Sequence, residues 1–180
     1  VHQSILVEDT TPPEITCPAD VVVSCGATAD EIGYATATDN CDSNPNITSF
    51  DTIFEVDCDT LKYYKFERTW VATDTCGNES SCIQIVTVNL PPEGDTIAPT
   101  FTRPADITIY KDADCNYYNN PEVTGLVTEV WDNCSASTPI FNDSINDSNL
   151  CEIIILRTWS LVDVCGNAAA DQLQTITVRD

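Results

Sequence analysis

Ten cysteines and 29 acidic side chains, set against a single histidine, define the chemistry open to this 180-residue chain. The cysteine count is even, and the closest pairs, Cys76/Cys82 and Cys17/Cys25, are separated by five and seven residues. That spacing lacks the CxxC pairs of structural zinc sites and reads as a disulfide framework made in an oxidising compartment. The histidine, His2, stands at the start of the sequence, so no imidazole is on hand for a Ser-His-Asp, Cys-His or zinc site further along. Six glycines form no phosphate-cradling loop. Carboxylates are numerous enough for a glycosidase-type pair. They fall at the same landmarks twice, however, and a catalytic cleft is rarely duplicated along one chain. The expectation is a non-enzymatic protein with no catalytic residue.

The elements that must position these groups are written twice. Asp9-Thr-Thr-Pro-Pro-Glu-Ile-Thr-Cys-Pro-Ala-Asp20 aligns with Asp95-Thr-Ile-Ala-Pro-Thr-Phe-Thr-Arg-Pro-Ala-Asp106, Asp39-Asn-Cys41 with Asp132-Asn-Cys134, Arg68-Thr-Trp70 with Arg157-Thr-Trp159, and Asp74-Thr-Cys-Gly-Asn78 with Asp163-Val-Cys-Gly-Asn167. The offsets are 86, 93, 89 and 89, a repeat near 90 residues. Within each repeat, short runs of Val, Ile, Thr and aromatics alternate with Asp, Asn, Gly, Ser and Pro clusters, and no three-turn amphipathic helix is visible. The fold class expected is all-β, as tandem, disulfide-braced, immunoglobulin-like β-sandwiches. The longest strands, Tyr63–Thr73 and Glu152–Val162, carry Tyr64, Phe66, Trp70 and Ala72, and Ile153, Ile155, Trp159 and Leu161, on single faces. Arg68 and Arg157 share those faces, either as rim arginines with stems over the indoles or as parts of a ligand-contacting Arg/Trp pair. Residues 9–88 and 95–178 form the two repeats, joined by a Pro-rich, semi-stiff hinge at 89–94. Residues 1–8 read as the closing strand of a preceding repeat, and 179–180 as the start of a further linker.

Comparison of the repeats suggests how the cysteines pair. The second repeat has Arg103 in place of Cys17 and no cysteine near the place of Cys82, so these two are expected to bond to each other. Cys41–Cys76 and Cys134–Cys165 join matching corners, leaving Cys25–Cys58 and Cys115–Cys151. Asp9, Asp39 and Asp74, and likewise Asp95, Asp132 and Asp163, flank those corners. Two readings compete for them: turn formers that cap their own backbone, or hard oxygen ligands gathered around Ca²⁺. The sequence requires no cofactor, and Ca²⁺ is the one candidate.

With 7 Lys+Arg the formal net charge is −22, a field that repels phosphate backbones and anionic bilayers. Nucleic acid is thereby excluded as a partner. No apolar run reaches a membrane-spanning length, so no direct membrane insertion is expected, and the opening residues lack the pattern of a signal peptide.

The combination Asp-x-x-Pro-Pro-x-Ile-x-Cys-Pro, Asp-Asn-Cys and Trp-x-Ala-Thr-Asp-x-Cys-Gly-Asn resembles the hyalin-repeat (HYR) type of immunoglobulin-like domain. More closely, it is similar to the cysteine-rich repeats of very large surface adhesins of gliding Bacteroidetes, the gliding-motility adhesin type. The resemblance covers essentially the whole chain, with Arg103 departing from the Cys-Pro motif. It implies type IX secretion, display at the outer-membrane surface and cell adhesion through a long filament that supports attachment and gliding motility. The implied partners are neighbouring repeats of the same chain and an external surface or polysaccharide. The alternative is a carbohydrate- or protein-binding accessory module of a secreted multidomain protein. Bacteria of that group also O-glycosylate Asp-Ser/Thr tripeptides, which makes Thr10, Thr52, Thr60, Thr96 and Ser144 candidate glycosylation sites.

Overall fold

Alternating side chains dictate strands, and the computed structural model, which describes residues 3, 5–134, 138–149 and 152–180, is built mainly of them. The chain divides into two units, Val1–Gly94 and Asp95–Asp180. The first contains β1 (Glu14–Thr16), β2 (Val21–Ser24), α1 (Ala29–Ile32), β3 (Thr36–Thr38), β4 (Asn46–Asp57), β5 (Tyr63–Thr73) and β6 (Glu79–Asn89). The second contains β7 (Thr100–Thr102), β8 (Ile107–Tyr110), α2 (Pro121–Thr124), β9 (Thr128–Trp131), β10 (Ile140–Asn149), β11 (Glu152–Ser160) and β12 (Gln172–Arg179).

The two units share one topology. Each has a four-stranded sheet, β2-β6-β5-β4 or β8-β12-β11-β10, and a two-stranded sheet, β1-β3 or β7-β9. Neighbouring strands run antiparallel except at one edge, where β2 lies parallel to β6 and β8 parallel to β12. In β5 the alternation expected from the sequence buries Tyr64, Phe66, Trp70 and Ala72, and the buried Val86 and Val88 of neighbouring β6 stand in register beside Phe66 and Tyr64. In the second unit Ile155, Ile176 and Val178 form one cluster, and Phe101, Trp159 and Leu161 another.

One glutamine per unit organises the polar interior. Gln84 on β6 is fully buried; its amide donates to the carbonyls of Ala19 and Ile32, both at 2.9 Å, and its oxygen accepts from Trp70 Nε1 at 3.3 Å. Gln174 on β12 repeats this with Ala105 at 3.0 Å, Thr124 at 2.8 Å and Trp159 Nε1 at 3.2 Å. The carbonyls of Ile32 and Thr124 come from the last residues of α1 and α2. Each of these single turns ends on a glycine of positive φ, Gly33 at 92° and Gly125 at 106°. A Cβ on Gly125 would lie 2.7 Å from Pro104 Cβ, so a side chain is barred there by space as well as by backbone conformation.

At the margins of the first unit, Ile5, Leu6 and Val7 are exposed and belong to no strand of that unit. The 89–94 hinge is fastened to the first unit. Asn89 ends β6, Leu90 is buried with its N–H on the Lys62 carbonyl at 2.8 Å, and Gly94 closes a turn onto Pro91 O at 2.8 Å.

Candidate metal centres at two duplicated corners

The six aspartates singled out by the repeat fall into two clusters. Asp9, Asp39 and Asp74 in the first unit, and Asp95, Asp132 and Asp163 in the second, each place one carboxylate oxygen so that all three lie within 4.8 Å of one another. Each trio joins three separate segments: the stretch before the first strand, the loop after β3 or β9, and the turn between β5 and β6 or β11 and β12.

Local turn chemistry fixes every member. Asp39 Oδ1 accepts from the N–H groups of Cys41 and Asp42, both at 2.9 Å, and Asp132 Oδ1 accepts from Cys134 N–H at 2.9 Å. Asp74 Oδ1 accepts from Cys76 and Asn78 N–H at 2.9 and 2.8 Å, while Asn78 Nδ2 donates to Asp74 Oδ2 at 2.8 Å. The Asn78 side chain, with the backbone donors of that turn, holds the Asp74 carboxyl below the usual carboxylate range against the opposing effect of burial. In the second unit Asn167 donates in the same way to Asp163, from its N–H at 2.8 Å and from its amide at 2.6 Å. The two asparagines also fasten the entry segments, Asn78 Nδ2 to Asp9 O at 3.1 Å and Asn167 Nδ2 to Asp95 O at 3.0 Å. The turn-forming reading and the gathering of carboxylates therefore coexist: Asp39 caps its turn through Oδ1 alone, whereas both oxygens of Asp74 and of Asp163 accept hydrogen bonds.

What the turns leave over is charge. Asp39 Oδ2 and Asp95 Oδ2 are shut off from solvent with no hydrogen-bond partner. Five of the chain's basic side chains pair with other acids: Lys65 with Glu55, Arg68 with Asp51, Arg103 with Asp106, Arg157 with Asp143 and Arg179 with Glu152. An open groove lined by Thr11, Pro12, Glu14, Thr38, Asp39 and Asn40 reaches the first corner from solvent. Opposed ligands of a Ca²⁺ ion at about 2.3–2.6 Å stand about 4.6–5.2 Å apart, so either trio is compact enough to hold a single such ion.

The chain matches no known family model and no curated protein. The corners must accordingly be read on their own chemistry. Beside them, the cysteines behave differently in the two units. Cys17 and Cys82 are bridged, with Cα atoms 5.9 Å apart, and Cys25, Cys58, Cys134 and Cys165 are also disulfide-bonded. Cys41 and Cys76 are exposed thiols, which corrects the Cys41–Cys76 bridge expected from the repeat. Partial desolvation and the neighbouring Asp9 and Asp39 carboxylates raise the Cys41 thiol pKa. Cys115 is likewise a free thiol, contrary to the expected Cys115–Cys151 bridge; Cys151 lies outside the described residues, as does His2.

The Arg/Trp faces show why two arginines sit among core aromatics. Arg68 lies 5.6 Å from the Trp70 ring and pairs with Asp51 through two 2.8 Å bonds. Arg157 leaves the rim entirely. It is 1% exposed, pairs with Asp143 through two 2.7 Å bonds, and donates to Thr124 Oγ1 at 2.7 Å and Asn119 O at 2.5 Å. With four of its five N–H donors engaged inside the unit, Arg157 is structural, and the rim placement expected for it is corrected. The tripeptide residues Thr10, Thr52, Thr60, Thr96 and Ser144 are all exposed. Sequence reasoning missed Gln84 and Gln174, although their spacing of exactly one repeat was there to be read.

Proposed function

We propose that the chain is a non-enzymatic structural segment of a long extracellular surface adhesin or filament, in which disulfide-braced, immunoglobulin-like repeats act as robust spacers that carry an attachment function to a cell's surroundings. The observation that carries this reading is duplication of the framework itself. The same strand order, the same buried glutamine and the same carboxylate corner occur in both units, as befits a part made to be repeated, whereas a cleft for one substrate would distinguish one unit from the other. Disulfides form and persist in oxidising surroundings, which supports a place outside the cytoplasm. Among the described residues, no helix is long and apolar enough to cross a membrane. The resemblance to HYR-like repeats of gliding Bacteroidetes, secreted by the type IX route, supports a surface filament that promotes attachment and gliding, with exposed threonines and a serine available for O-glycans.

Antibodies against this chain should decorate intact, unpermeabilised cells of the source organism, and disruption of the gene should reduce attachment to surfaces. Labelling that appears only after lysis would overturn the reading. Exposed aromatics, Tyr118 and Trp131 in the second unit and Phe50 and Phe54 on β4, favour a second reading as a carbohydrate-binding module. Saturable binding of the chain to defined glycans, abolished by Trp131→Ala, would select it.

A further inference from the structure

We propose that each unit binds one Ca²⁺ ion at its carboxylate corner, through Asp9, Asp39 and Asp74 in the first unit and Asp95, Asp132 and Asp163 in the second. Three acids converging within 4.8 Å would be an ordinary acidic cluster if solvent and basic side chains served them. Here neither does. Asp95 is 7% exposed; its Oδ1 accepts from Ile97 N–H at 3.2 Å and Asn133 Nδ2 at 3.3 Å, and its Oδ2 is buried without a hydrogen-bond partner. An unpartnered carboxylate oxygen removed from water beside two further carboxylates is among the costliest arrangements a fold can hold. The first unit repeats it, with Asp39 Oδ2 as the orphan and Asp74 buried. The fault thus recurs in both units, which identifies it as a built feature awaiting a positive charge.

The chemistry narrows the ligand. All candidate donors are oxygens, with no imidazole among the trios, which suits a hard cation. Calcium accepts several carboxylates in irregular geometry at about 2.3–2.6 Å, whereas Mg²⁺ demands near-octahedral geometry at about 2.0–2.1 Å and keeps most of its water. Three carboxylates fixed by turn hydrogen bonds on three separate segments favour the larger, more tolerant ion. The bound ion would tie the entry segment to two turns of the same unit, adding to the Asn78 or Asn167 hydrogen bond that already holds that segment.

The test is calorimetric titration of the intact 180-residue chain, stripped with EGTA, against CaCl₂ and separately MgCl₂. Two Ca²⁺ ions per chain are expected, with at least tenfold weaker Mg²⁺ binding, and a melting temperature about 10 °C higher at a hundredfold excess of Ca²⁺ over Kd. Asp39→Asn and Asp132→Asn keep an oxygen to cap the turn while removing the charge, so each should fold and lose one of the two ions. Absence of heat at millimolar Ca²⁺ together with an EGTA-insensitive melting temperature would overturn the proposal without recourse to any variant. Retention of two ions by the double variant would overturn the assignment of the ligands. Neither result would bear on the proposed place of the chain in a surface filament, which the labelling of intact cells tests separately.

Discussion

The two units solve one structural problem with different chemistry. In the first, Cys17 and Cys82 tie the segment after β1 to β6 by a covalent bond, and Cys82 stands opposite Trp70 in the sheet register. In the second, the residue opposite Trp159 is Gln172, and the bridge is replaced by a hydrogen bond from Arg103 N–H to Gln172 Oε1 at 3.1 Å, with Gln172 Nε2 donating to Phe101 O at 2.6 Å. The cross-strand arginines differ in the opposite sense. Arg68 keeps 17% of its side chain exposed and pairs with Asp51 alone, while Arg157 is sunk beneath the surface and holds Asp143, Thr124 and Asn119 together. One unit is stapled at its edge; the other is pinned through its middle. A common topology fixes where a brace is needed without fixing what the brace is made of.

The comparison can be broken most directly at the staple. Cys17→Ser with Cys82→Ser opens a crosslink across a sequence separation of 65 and should cost the first unit about 4 kcal/mol, leaving the second unchanged. Amide hydrogen exchange followed separately in β5 and β11 measures this, and equal loss in both would refute independent bracing. At the pin, Arg157→Met strands a largely buried Asp143 and should cost about 3 kcal/mol, whereas Arg68→Met should cost about 1 kcal/mol or less; denaturant midpoints of the two variants give the ratio. At the helix caps, Gly125→Ala meets Pro104 at 2.7 Å and should cost about 2 kcal/mol, against about 1 kcal/mol for Gly33→Ala, where the nearest contact is Pro18 at 3.3 Å.

The smallest effect concerns acid. Asp106 accepts from Thr175 N–H at 2.9 Å and pairs with Arg103 at 2.6 Å, and these partners, the backbone donor foremost, hold its carboxyl below the ordinary value. A folded-state pKa lowered in this way contributes stability that is complete above the unfolded value near 4 and is lost as pH falls through the folded one. Asp106→Asn should therefore lower the second unit's stability near neutrality and leave it unchanged in strong acid, flattening the acid limb of its stability curve. Asp20 holds Ile85 N–H at 2.8 Å in the equivalent place without an arginine, so Asp20→Asn serves as the control.

Much of this was legible in the residues, for reasons that differ by element. Tyr64, Phe66, Trp70 and Ala72 announced their shared face because a period of two survives translation from sequence to sheet. The six corner aspartates were legible because turn chemistry is local and each motif occurs twice. The depth of Arg157 was not, since it depends on Asp143 from β10 and on Thr124 and Asn119 around α2, residues that no short window relates. Gln84 and Gln174 escaped notice because an amide in a strand signals nothing until the backbone carbonyls of Ala19 and Ile32, or Ala105 and Thr124, converge on it. The Cys41 and Cys76 corner misled for a related reason. Matching positions in two repeats do not ensure matching bonds, since Cys41 and Cys76 remain free thiols while Cys134 and Cys165 are disulfide-bonded.

The parallel pairing of β2 with β6, and of β8 with β12, governs how each unit would bear tension. These strands stand near the start and at the end of their unit, so pulling on the two ends drives them past each other lengthwise. Their rungs must then rupture almost together rather than peel open one at a time, as an antiparallel hairpin tugged at its open end would. A domain tied off in this manner would give way in one step rather than unzip.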